Sequence, residues 1–109
     1  MYTFSNYSRQ AKKTRKEGMT KDSKLLESIM GLVGETGEVV DVVKKHLFQG
    51  HKLDRKHIAE EIGDVLWYLD YLANSIGTNL EEIAKANIRK LSKRYPKGFD
   101  EKKSVNRNA

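Results

Sequence analysis

Apolar residues in this chain recur at helical spacing. Leu25, Leu32, Val39 and Val43 share one stripe of the first long segment, and Ile58, Val65, Leu69 and Leu72 share one stripe of the next. Intervals of three, four and seven residues are the signature of amphipathic helices. No alternating apolar and polar run extends beyond a few residues, so strand signals are weak. Breaks fall at residues 18–22, 50–53 and 77–79, each with a glycine, and the single proline, Pro96, comes late. The pattern predicts helices over residues 4–16, 23–48, 54–76 and 80–95. Asp54 suits the N-cap of the third, and Asn79 or Thr78 that of the fourth. Glu81 and Glu82 favour the first turn of the fourth helix, which Pro96 and Gly98 then end. The expected fold class is all-α, a bundle of about four helices. The polar tail, residues 100–109, is expected to be loosely ordered or to pack against a partner subunit.

Two acidic motifs interrupt this pattern, Gly34-Glu35-Thr36-Gly37-Glu38 and Glu60-Glu61-Ile62-Gly63-Asp64. Each holds an acid-x-x-acid pair, and residues three apart face the same way on a helix. With Glu35 at 0°, Glu38 falls near −60° and the apolar stripe at about +40° to +80°. With Glu61 at 0°, Asp64 falls near −60° and its stripe at about +20° to +80°. Both pairs border their stripes with the same offset. Asp41, Glu60 and Asp70 fall elsewhere and read as surface charges. Four carboxylates converging from two facing helices need a cation to neutralise them. The pattern predicts a divalent-metal site, and magnesium sites of this kind handle phosphates. Gly34, Gly37 and Gly63 each cost about 1 kcal/mol in a helix interior, which suggests close approach of helices or ligand there. On the fourth helix Asn87, Lys90 and Arg94 border the apolar face, where the two cations are able to clamp phosphate oxygens.

Composition narrows the picture. The length of 109 residues suggests one domain, with a core at about 23–99, and a core of that size favours oligomerisation. The net charge of +6 is uneven. Basic residues crowd the ends, among them Arg9, Lys12, Lys13, Arg15 and Lys16, while acids gather between Glu35 and Asp70. This distribution suits a polyanion gripped by cations and a metal together. The absence of cysteine excludes disulfides, thiolate-bound zinc and a cysteine nucleophile, and fits a cytoplasmic location. No apolar run approaches the roughly 20 residues of a membrane span, and residues 1–10 lack the apolar centre of a secretory signal.

Three stretches together resemble the MazG-like, all-α nucleoside triphosphate pyrophosphohydrolases. They are Gly-Glu-x-Gly-Glu (34–38), Glu-Glu-x-Gly-Asp-Val-Leu-Trp-Tyr-Leu (60–69) and Asn-x-x-Lys-Leu-x-x-Arg-Tyr-Pro (87–96). The resemblance covers about residues 25–99. It implies a homodimer or homotetramer and Mg²⁺ (Mn²⁺ as a substitute) held by Glu35, Glu38, Glu61 and Asp64. It also implies hydrolysis of a ribo- or deoxyribonucleoside triphosphate to the monophosphate and pyrophosphate. Lys90 and Arg94 would contact the phosphate chain and Asn87 the nucleotide, with Lys45 a further candidate.

Glu38, furthest round its stripe edge, is the candidate for activating water. Among the aromatic residues Tyr68 is best placed to meet a base, whereas Trp67 is expected to meet another helix or subunit. His46, His51 and His57 read as surface or capping residues. No Glu-x-x-His pair exists, which disfavours a ferritin-like di-iron site. The alternative is a non-catalytic helical interaction module that binds nucleic acid through its basic ends.

Overall fold

The computed structural model describes residues 1–106, which are largely helical. The helices run α1 (Phe4–Lys12), α2 (Lys21–Phe48), α3 (Arg55–Ser75), α4 (Leu80–Arg94) and α5 (Glu101–Val105). Among the described residues the only non-helical pairing is an isolated bridge between Pro96 and Gly98. The all-α expectation holds. The predicted first helix is shorter by four residues, ending at Lys12. The tail begins with a short helix: Asp100 caps α5 by accepting from the N–H groups of Lys102 and Lys103. Residues 107–109 of that tail lie outside the described residues.

Each long helix starts on a side-chain cap, because its first N–H groups have no partner within the helix. Thr20 accepts from the Ser23 N–H, Asp54 from His57 and Asn79 from Glu82. In α1 the cap is reciprocal. Thr3 Oγ1 accepts from the Asn6 N–H, and Asn6 accepts in return from the Thr3 N–H. The turns after α2 and α3 use Gly50 (φ 73°) and Gly77 (φ 85°), a left-handed conformation that side chains resist.

Helices α2 and α3 form a long hairpin, the most extensive packing in the chain. The two helices come close at Gly31. A Cβ there would clash with the Tyr68 ring, so the tyrosine ring lies directly over the α2 backbone. Gly34, Gly37 and Gly63, where close approach of helices or ligand is expected, differ from it. A Cβ at any of these meets nothing within 4 Å, so packing within the chain does not explain them.

Helix α1 crosses the far side of α3 and touches α4. It corrects two expectations. Asp70, read as a surface charge, is fully buried, and Arg15, counted among the basic residues suited to gripping a polyanion, pairs with it. One stripe of α3 faces α2, but the opposite side meets α1 as well, so both sides are covered. Ser8 donates to Asp70 Oδ2 at 3.1 Å, and Arg15 Nη1 donates to Asn74 Oδ1 at 3.0 Å. The Arg15 guanidinium also stands 4.8 Å from the Tyr71 ring centroid, within cation–π range.

Much apolar surface stays uncovered. Leu26, Ile29, Met30, Val33 and Val40 are all exposed on α2. With Glu35 at 0°, they fall at about +120° to +220°, a second apolar face turned away from α3. The radius of gyration, 17.2 Å, exceeds the roughly 13 Å of a compact chain of this size.

Candidate metal centre

The hairpin places the two acidic motifs opposite each other. Glu35 on α2 and Glu61 and Asp64 on α3 each present a carboxylate oxygen within 4.8 Å of the others. The i, i+3 spacing of Glu61 and Asp64 aims both across the hairpin, and Glu35 answers from the facing helix. Glu38 does not join them. It is exposed one turn further along α2, near enough for its charge to act on Glu35.

Crowding shapes the chemistry of the cluster. Hydrogen bonding with Glu61 is the main reason that the Glu35 carboxyl titrates above the ordinary carboxylate range. Partial burial and the charges of Asp64, Glu61 and Glu38 push it the same way. Glu61 is held on one side by His57, whose Nε2 lies 3.0 Å from Oε1. With Glu35 and Glu61 both ionised, its other oxygen, Oε2, is buried with no hydrogen-bond partner. An orphaned buried carboxylate oxygen among like charges is what a bound cation would satisfy. The all-oxygen donor set fits a hard divalent ion. His57 is exposed, in keeping with a surface residue, and its i, i+4 spacing to Glu61 brings the two into contact.

Beside the cluster lies a depression of about 360 Å³ lined by Thr14, Glu35, Asp64, Trp67 and Tyr68. Tyr68 therefore stands where the acid edge predicted. Trp67, expected to meet another helix or subunit, meets the turn after α1, donating from Nε1 to Thr14 Oγ1 at 2.8 Å, and it also lines the depression. The contribution of Thr14 had no sign in the sequence.

The basic candidates sit elsewhere. Lys45 pairs with Asp41 at 2.9 Å on the exposed side of α2. Asn87 and Lys90 are exposed on α4 and Arg94 is half-buried. Helix α4 packs on α1 and α3, and its candidates are not part of the depression's lining.

A helical hairpin with convergent carboxylates and an adjoining aromatic depression defines a candidate divalent-metal protein. The chain belongs to the MazG nucleotide pyrophosphohydrolase domain family, whose model matches residues 24–99. It is also 37% identical over 82 residues to the "Gene 37 protein" of Mycobacterium phage L5, a match covering 72% of each chain. No solved structure matches the chain.

Proposed function

We propose that this protein hydrolyses a ribo- or deoxyribonucleoside triphosphate to the monophosphate and pyrophosphate, with Mg²⁺ as cofactor and Mn²⁺ as a substitute. The observation that carries the reading is the convergence of Glu35, Glu61 and Asp64 beside an aromatic-walled depression, in a chain of this family. A nucleotide offers what the two halves would take, phosphates toward the carboxylate cluster and a planar base toward Trp67 and Tyr68. A bound Mg²⁺ would supply charge neutralisation and polarisation of the phosphoryl oxygens.

The chain's own residues do the rest. Glu35, Glu61 and Asp64 hold the cation, with His57 steering the Glu61 carboxylate. Glu38, exposed and one turn away, is proposed as the fourth ligand and as the carboxylate that orients the attacking water and takes its proton. Asn87, Lys90 and Arg94 are proposed to grip the nucleotide and its phosphate chain, with Lys45 in support.

We further propose that residues 1–109 act as one domain that assembles as a dimer or tetramer in the cytoplasm. The uncovered apolar face of α2 supports assembly. So does the absence of the α4 candidates from the depression's lining, since a second copy would bring such cations to it. Among the described residues no helix is long and apolar enough to cross a membrane.

The test incubates the chain with each common ribo- and deoxyribonucleoside triphosphate plus Mg²⁺. Pyrophosphate with nucleoside monophosphate is the expected product. Single phosphate release, or salt-sensitive nucleic-acid binding with no release, would overturn the reading.

A further inference from the structure

The family match begins at residue 24, yet the segment before it reaches the candidate site. Thr14 lies in the turn after α1, and its hydroxyl is used twice. It donates to the Ala11 carbonyl at 2.7 Å and accepts from the Trp67 indole N–H at 2.8 Å. The next residue, Arg15, anchors that turn through the buried Asp70 and through Asn74. Its guanidinium lies 5.8 Å from the Trp67 ring centroid. Trp67 is further held edge-on by Tyr68, with centroids 4.9 Å apart and planes at 83°, and by Tyr71 at 5.5 Å and 87°. Its N–H hydrogen bond and its two perpendicular ring contacts together fix the indole's orientation. That orientation makes it a wall of the depression that also holds Glu35 and Asp64.

We propose that the N-terminal segment is a specificity element: Thr14 and Arg15 fix Trp67 as a stacking wall for the substrate's base. The inference rests on the pyrophosphohydrolase reading and assigns the base side of the same site. Thr14 is a positioning residue that acts through Trp67. A rigid aromatic face accepts a base because every base presents a π-face, and preorganising that face removes the ordering cost at binding. The phosphate end of the ligand touches none of this machinery.

Trp67 is the sole tryptophan of the chain, so its fluorescence reports directly on the site. The experiment uses the full-length protein with Mg²⁺. Emission is followed on adding nucleoside triphosphates whose α,β bridge oxygen is replaced by methylene, and separately on adding inorganic tripolyphosphate. The nucleotides are expected to quench Trp67 and tripolyphosphate to leave it unchanged. Thr14→Val is expected to raise the KM for the hydrolysed nucleotide by about five- to tenfold with kcat nearly constant. Thr14→Ser, which restores the hydroxyl, is expected to keep the wild-type KM. Inhibition by tripolyphosphate is expected to be equal in all three proteins, whereas general loosening of the fold would weaken it. Pyrophosphate release with no quench, or with an unchanged KM in Thr14→Val, overturns this inference and leaves the hydrolase reading standing. A quench by nucleotides with no pyrophosphate from any of them overturns the hydrolase reading instead and supports Trp67 as the base wall.

Discussion

Arg15 and Asp70 form an ion pair at the seam between the turn after α1 and the middle of α3, with the carboxylate fully buried. The arginine side chain keeps only 11% of its exposure. Such a pair adds little net stability over apolar residues of the same size, but removing one partner strands the other without solvent. Asp70→Ala is therefore expected to cost about 3–5 kcal/mol and to lower Tm by more than ~10 °C. The double variant Arg15→Met, Asp70→Leu is expected to recover most of that loss. Thermal unfolding at one fixed protein concentration checks both, and equal losses for the single and double variants would contradict the assignment.

The carboxylate cluster predicts a stability linked to metal. A ligand that binds only the folded chain stabilises it by about 2.7 kcal/mol at a hundred times its Kd. Mg²⁺ is thus expected to raise Tm, and EDTA to reverse the rise and stop turnover. Glu61→Gln and Asp64→Asn should abolish both the Mg²⁺ shift and the activity. Glu38 stands outside the convergent trio, so Glu38→Gln should keep part of the Mg²⁺ shift while losing turnover by at least ~100-fold. A Glu38→Gln protein as active as wild type would remove Glu38 from the mechanism.

The glycines of α2 are not equivalent. An alanine at Gly31 would put its Cβ against the Tyr68 ring, which must shift to make room. Gly31→Ala is expected to destabilise by about 1–3 kcal/mol and to disturb the depression that Tyr68 lines. Gly34→Ala meets open space and gains helix propensity, so it should stabilise the isolated chain by up to ~1 kcal/mol. Urea unfolding of the two variants checks the contrast. Loss of stability in Gly34→Ala would mean that a second copy approaches the backbone there.

These residues also show how far the sequence was legible. The hairpin could be read because each helix has a 3.6-residue period and a strong cap, both local properties. Glu35, Glu61 and Asp64 could be read because their offset from the apolar stripe fixes which way they face. Asp70 could not. Its burial depends on α1 crossing the back of α3, and a short polar helix gives no periodic sign of what it covers. Thr14 and Gly31 were missed for the same reason: each matters through one contact with a residue more than 35 positions away. The short helix α5 at the start of the tail had no sign beyond its single cap at Asp100.

The separation of the acidic and basic halves of the candidate site makes a prediction about assembly. Glu61 converges with Glu35 and Asp64, whereas Lys90 and Arg94 sit on α4 and do not line the adjoining depression. Leu26, Ile29, Met30, Val33 and Val40 meanwhile leave an apolar face on α2 uncovered. If a second copy covers that face and supplies the cations, Val33→Glu should lower the mass in solution to that of the monomer and abolish turnover. It should do so without touching any carboxylate of the cluster. Two inactive variants then separate the arrangements. Glu61→Gln lacks a ligand and Arg94→Ala lacks a cation. In a cis arrangement a mixture of the two has no intact site. In a trans arrangement random exchange makes half of the dimers mixed, each with one intact site, so about a quarter of the wild-type activity should return. Light scattering of Val33→Glu and pyrophosphate release from the mixed variants are the measurements. A monomeric wild type, or a mixture that stays inactive after subunit exchange, would place Arg94 and Glu61 of one site on the same chain.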